Sequence, residues 1–198
     1  ISRITNPDGS LRAVLVNYAC HGTTSGGDIN PIHGDWIGEA QSDIEARHRG
    51  ATAMVAIGCA GDANPSPRGT MEDLKAHGKE IADNIDGVLT AQRQPLTSPP
   101  VGNMKWIKLP YSQLPTVPEL IKLTKDETVK GYEARLNLDR VLRGEPIPNE
   151  LDYPVQTWNW GNKMAMVNLA GEVVVDYSIR LKEELGAEHL WINAYAND

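Results

Sequence analysis

The order of apolar runs along the chain predicts an α/β fold: a sheet flanked by helices, with site loops at strand ends and a helical insertion around residues 116–143. Three observations carry this expectation. A short aliphatic run at 11–19 gives way to a glycine-rich loop and then to a segment of helical period. The same succession repeats from residue 51. The two densest loops both follow strands, where open α/β sheets carry their functional residues.

Residues 11–19 (LRAVLVNYA) read as a buried strand between Asp8-Gly9 and a polar glycine loop. After the loop at 22–34, Asp35 is expected to cap a helix over 35–47, with Ile37, Ala40 and Ile44 at helical spacing and Gly50 closing it. Residues 51–57 (ATAMVAI) form a second buried strand, followed by a tight loop at 58–69 and a helix over 71–89. A proline-rich break at 94–100 precedes a strand at 103–109. Residues 116–143 carry a charged helical pattern and read as a solvated pair of surface helices. Strands at 153–160 and 163–169 flank Gly161-Asn162, a two-residue hairpin signal. A helix at 174–185 ending on Gly186 and a strand at 189–194 complete the chain, which reads as one domain over 1–198 and, with a turn-former at one end and no closing element at the other, as an excerpt of a longer protein.

Composition narrows the function. The 198 residues carry a net charge of −7 spread along the chain, with no Lys/Arg cluster among aromatics, so nucleic acid is not an expected partner. No run reaches the roughly 18–20 apolar residues of a membrane span, and the chain opens on no signal-peptide pattern. Cys20 and Cys59 are too few for a disulfide scaffold and lack the CxxC spacing of a thiolate zinc site.

Two loops concentrate the candidate chemistry. In Asn17-Tyr18-Ala19-Cys20-His21-Gly22-Thr23-Thr24, a strand fixes the backbone of His21 while Gly22 allows close approach, a suitable setting for a metal-binding imidazole or for a hydrogen-bonded structural histidine. His33, His48, His77 and His189 lack such a setting, and His48 and His77 fall on helix surfaces. The loop from Gly58 through Asp62, Asn64 and Pro65 to Gly69 combines glycines, prolines and self-bonding side chains, as a preshaped site wall would. It lacks the Lys-Ser/Thr pair of a phosphate-binding Walker loop. Glu172 joins a strand to a helix, where a carboxylate also has an ordinary role against the helix dipole, and Tyr195 ends the last strand.

The ordered blocks NYACHGTT, GDWIGEAQ, VAIGCAGDANPSPRG, NLAGEVVVDYSIRLKEEL and INAYAND resemble the N-terminal catalytic domain of the neutral/alkaline, non-lysosomal ceramidase family. The resemblance implies a zinc (Zn2+) amide hydrolase with His21, Glu172 and Tyr195 on the metal. It implies a second histidine in a threonine-histidine-threonine-histidine motif, expected before Ile1. It also implies a small-molecule or lipid N-acyl substrate, with Gly22 and Asp62 on the substrate side, and a secreted or periplasmic setting. One position departs from the family pattern: where the resemblance calls for a serine after glycine-aspartate-x, this chain has Asn64. An amide is no nucleophile but can donate to an oxyanion, so Asn64 and Tyr195 are the expected catalytic groups and ceramide itself is put in question. Two rivals are a catalytically silent relative serving as a binding or structural module, and a serine amidase using Ser25 or Ser66, neither of which sits in a Gly-x-Ser-x-Gly elbow.

Overall fold

A computed structural model describes residues 1–29, 31–92 and 94–197. Asn30 of the expected 22–34 loop and Asp198 of the last sequence block lie outside the described residues. The elements run β1 (Ser2–Thr5), β2 (Leu11–Tyr18), α1 (Asp35–Arg47), β3 (Thr52–Ile57), α2 (Met71–Leu89), β4 (Val101–Pro110), α3 (Val117–Leu123), α4 (Val129–Leu142), β5 (Glu150–Asn159), β6 (Ala165–Leu169), α5 (Val175–Leu185) and β7 (Leu190–Asn193). This is an α/β fold with mixed sheets of order β1-β2-β3 and β4-β5-β6-β7. The chain divides into two compact units, one of Ile1–Lys105 with Val155–Asp198 and one of Trp106–Pro154.

In the larger unit, β2 and β3 pair in parallel while β1 runs antiparallel on the other side of β2. Val14, Val16 and Ala53 of these strands pack against Ile44 of α1 and Ala82, Ile85 and Leu89 of α2. The helices supply this face by period: Trp36, Ala40 and Ile44 on α1, and Leu74, Gly78, Ala82, Ile85 and Leu89 on α2, are buried at spacings of three and four. Each fully buried Val14, Ile44 and Leu74 side chain contributes about 1.5–3 kcal/mol relative to exposure. The two helices cross at Gly78, where a Cβ would come 2.4 Å from Cβ of Glu39. A capping box between Thr70 and Asp73 starts α2.

Three sequence expectations change locally. Asp35 does not cap α1: Gly34 holds that position with no side-chain cap, and the Asp35 carboxylate turns back to the loop, as described below. The hairpin closes on Trp160 and Met164 through a 2.9 Å backbone bond, so its loop is Gly161–Lys163 rather than the two residues Gly161-Asn162. Core packing on α1 comes from buried Trp36 where the spacing pointed to Ile37, which is half-buried.

In the smaller unit, α3 begins with a Thr116–Glu119 capping box and meets α4 through buried Leu120 and Ala134. The pair is a two-helix insertion with mostly exposed outer faces, as the charged pattern over 116–143 predicts. Lys108 on β4 bridges Glu150 and Asp152 of β5 at 3.1 and 2.6 Å. Among the described residues no helix is long and apolar enough to cross a membrane.

Candidate active site

Two pairs of parallel strands, β2 with β3 and β6 with β7, bring four chain exits together. Backbone bonds tie the exits to one another. The amide of Ala194 donates to the carbonyl of Ile57 at 3.0 Å, Tyr195 to Gly171 at 3.1 Å, His21 to Ala63 at 2.9 Å and Gly61 to Val173 at 3.0 Å. The loops carrying His21, Asp62 and Asn64, Glu172, and Tyr195 therefore form one cross-linked rim at the carboxyl ends of the strands, where α/β sheets place ligands.

His21 is fixed from behind. Its carbonyl accepts a 2.8 Å bond from Nε1 of buried Trp36, whose ring meets Tyr18 edge-on at 5.5 Å. The following loop is held by Asp35, which takes the amides of Thr24 and Ser25 at 2.9 and 2.8 Å from a strained backbone with φ +54°. Burial alone would raise the Asp35 pKa, but amide donors from Trp36, Ser25 and Thr24 outweigh it and hold the carboxyl below the usual range. Gly22 lies against Ile37.

Tyr195 follows β7 in the left-handed region, φ +56°, which swings its ring toward His21. The phenol oxygen lies 3.3 Å from His21 Nδ1, with ring centroids 6.0 Å apart at 65°. Burial, then the charge of Glu172, then Cys59, push the Tyr195 pKa up, so Glu172 is electrostatically coupled to the phenol. Burial likewise raises the Cys59 thiol.

Glu172 precedes a helix start that is held from another loop. It lies three residues before α5, and the first amide of that helix, at Val175, is taken at 3.0 Å by Asp62 from the neighbouring loop. Gly61 makes this crossing possible: a Cβ there would stand 2.2 Å from the Glu172 carbonyl oxygen, a distance no side chain tolerates.

Asn64 Oδ1 accepts from Thr23 Oγ1 at 3.1 Å and from Arg68 Nη1 at 3.2 Å. Because a guanidinium can only donate, the oxygen must face Arg68, which leaves Nδ2 as the donor end of the Asn64 amide. Neither Thr23 nor Arg68 carried a sequence signal beyond its place in a dense loop. A cavity of about 670 Å³ lined by Val16, Tyr18, Cys20, Ile81 and Ile85 touches Asn64, but His21, Glu172 and Tyr195 are not among its walls. Three of the remaining histidines are occupied elsewhere, His48 on Asp86 at 2.7 Å, His77 on the Pro67 carbonyl at 2.8 Å and His33 at 3.3 Å from Glu39, while His189 is exposed, 4.0 Å from Glu188. Among the described residues no group of three or more His, Cys, Asp and Glu is arranged to hold a metal ion. The His21 arrangement differs in drawing on a tyrosine.

The fold and rim define an α/β protein with a polar cluster at the carboxyl edge of paired parallel strands. No protein-family model matches the chain, and no curated protein does. Two solved structures share the fold. A neutral ceramidase from Pseudomonas aeruginosa superposes with TM-score 0.61 at 16% identity, over 98% of this chain and 38% of that one. A ceramidase complexed with C2 superposes with TM-score 0.62 at 16% identity, over 98% of this chain and 40% of that one. This chain therefore spans about two fifths of their length, and at that identity the likeness is one of fold.

Proposed function

We propose that this chain is one domain-sized part of a ceramidase-like hydrolase of N-acyl linkages, with His21, Glu172 and Tyr195 holding one zinc ion. The observation that carries the reading is the 3.3 Å separation of Tyr195 Oη and His21 Nδ1. That is long for an O–H···N hydrogen bond, whereas two donors each ~2.0–2.1 Å from a tetrahedral zinc are separated by ~3.3–3.4 Å. The nitrogen and oxygen donor set also suits catalytic zinc. When bound, zinc supplies Lewis acidity toward an amide carbonyl and lowers the pKa of water toward neutrality.

The chain's own residues supply the rest. Tyr195, whose phenol oxygen lies beside His21 Nδ1, is the group offered to the substrate carbonyl oxygen as charge develops there. Asn64 adds a second donor through Nδ2, its orientation set by Thr23 and Arg68. Asp62 holds the start of α5 and, with Gly61, the backbone that presents Glu172. Gly22, on the substrate side of His21 in this reading, lets the loop pack closely on Ile37.

One observation favours a second reading, a catalytically silent binding module: the Asn64 oxygen is committed to loop contacts, so this residue serves the architecture as well as any chemistry. Elemental analysis of the full-length protein together with hydrolysis of a panel of N-acyl amines separates the two. One zinc per chain with turnover supports the hydrolase; a ligand-binding protein without turnover on any N-acyl substrate replaces it with the module.

A further inference from the structure

Asparagine is unfavourable in strands, because its short amide competes with the backbone and packs poorly. Yet β2, β6 and β7 each carry one near the carboxyl end, at Asn17, Asn168 and Asn193. Each precedes a proposed site residue on the same exit: Asn17 lies four residues before His21, Asn168 four before Glu172, and Asn193 two before Tyr195.

The three amides are joined. Asn17 Nδ2 donates to Asn193 Oδ1 at 2.6 Å, and Asn193 Nδ2 donates to Asn168 Oδ1 at 2.7 Å. Asn17 Nδ2 also reaches the carbonyl of Ile192 at 3.4 Å. Asn168 and Asn193 are register partners on β6 and β7, so the second bond reinforces an existing ladder. The first bond does something else. β2 and β7 belong to different sheets, and β2 has no ladder to β7. The register partner of Asn17 on β3 is Ala56, which carries only a methyl group. Asn193 is only 7% exposed, so an unpaired amide there would be costly and the relay must stay satisfied.

We propose that Asn17, Asn193 and Asn168 form a positioning relay that sets the spacing of the β2, β7 and β6 ends, and so the convergence of His21, Tyr195 and Glu172. The inference rests on the proposed role of those three residues. Asn193, bonded on both sides, is the central member. It touches neither substrate nor metal and acts through the strand ends, as outer-shell hydrogen bonds do for metal ligands.

Asn193→Leu keeps the size and removes the bonding. In the full chain, two measurements are made: the NOE between the His21 and Tyr195 rings in metal-free protein, and zinc affinity by chelator competition. The Tyr18–Trp36 ring contact is the internal control for a folded β2–α1 region. The relay predicts a His21–Tyr195 NOE reduced by about threefold or more and zinc affinity lowered by about 10–100-fold, with the Tyr18–Trp36 NOE retained. Val14→Ala, which weakens the core away from the relay, should leave both readouts unchanged. Wild-type values of NOE and zinc affinity in folded Asn193→Leu overturn the relay, and so does an equal loss in Val14→Ala. If Asn193→Leu fails to fold, Asn17→Ala removes the inter-sheet link alone; the same direction of change supports the relay and no change overturns it. If the wild-type protein binds no zinc, the hydrolase reading falls while the ring NOE in the same variants still decides the relay.

Discussion

The phenol of Tyr195 meets the imidazole of His21 at 3.3 Å although 174 residues separate them in the chain. No local pattern brings them together. The contact exists because β2 and β7 both end at one rim, tied by the Ala194–Ile57 and Tyr195–Gly171 backbone bonds. It is also the contact on which the proposed metal site depends most directly.

His21→Ala is expected to abolish stoichiometric zinc binding in the full-length protein, and Glu172→Gln to weaken it, because a catalytic site cannot close its shell with a donor missing. Elemental analysis after gel filtration reads this. Full zinc content in the His21→Ala protein would refute the assignment.

Asn64→Ala is expected to lower N-acyl hydrolysis by about 10² with zinc retained, the scale of one lost oxyanion donor. Asn64→Ser tests the substrate: ceramide turnover gained only in that variant would identify Asn64 as the residue that moved the chain away from ceramide. Efficient ceramide hydrolysis by the unsubstituted full-length protein would remove that role.

Gly61→Ala should destabilise by about 1–3 kcal/mol or more, since its Cβ would overlap the Glu172 carbonyl and the loop must shift. Gly27→Ala, with nothing within 4 Å of the added Cβ, should be close to neutral. Urea denaturation of the two variants compares them. Equal stability would show that the Gly61 loop yields freely.

Asp35 gives the pH dependence a sign. Its folded pKa is depressed by the loop amides despite burial, so its contribution is fully present above the ordinary aspartate value of ~3.9 and is lost as pH falls through the lower folded value. Asp35→Asn should cost about 1–3 kcal/mol near neutrality and flatten the acid limb of the stability curve. Melting temperatures between pH 2 and neutrality, in this variant and the parent, test it; parallel curves would mean that Asp35 does not carry the acid sensitivity.

Local sequence determined most of the elements, because period and punctuation act over a few residues. The buried faces of α1 and α2, the strands at Leu11–Tyr18 and Thr52–Ile57 and the helical pair within 116–143 all follow from such patterns. The sequence also marked His21, Asn64 and Glu172 as residues at strand exits. What it left open was every relationship between exits. Asp35 turning back to Thr24 and Ser25, Asp62 holding the start of α5, and the Asn17–Asn193–Asn168 relay are hydrogen bonds between segments distant in the chain or turned against their local preference. A polar side chain has several bonding options of similar energy, and sequence spacing does not rank them. Only the parallel pairing of β2 with β3 and of β6 with β7, which sets the four exits side by side, chooses among them.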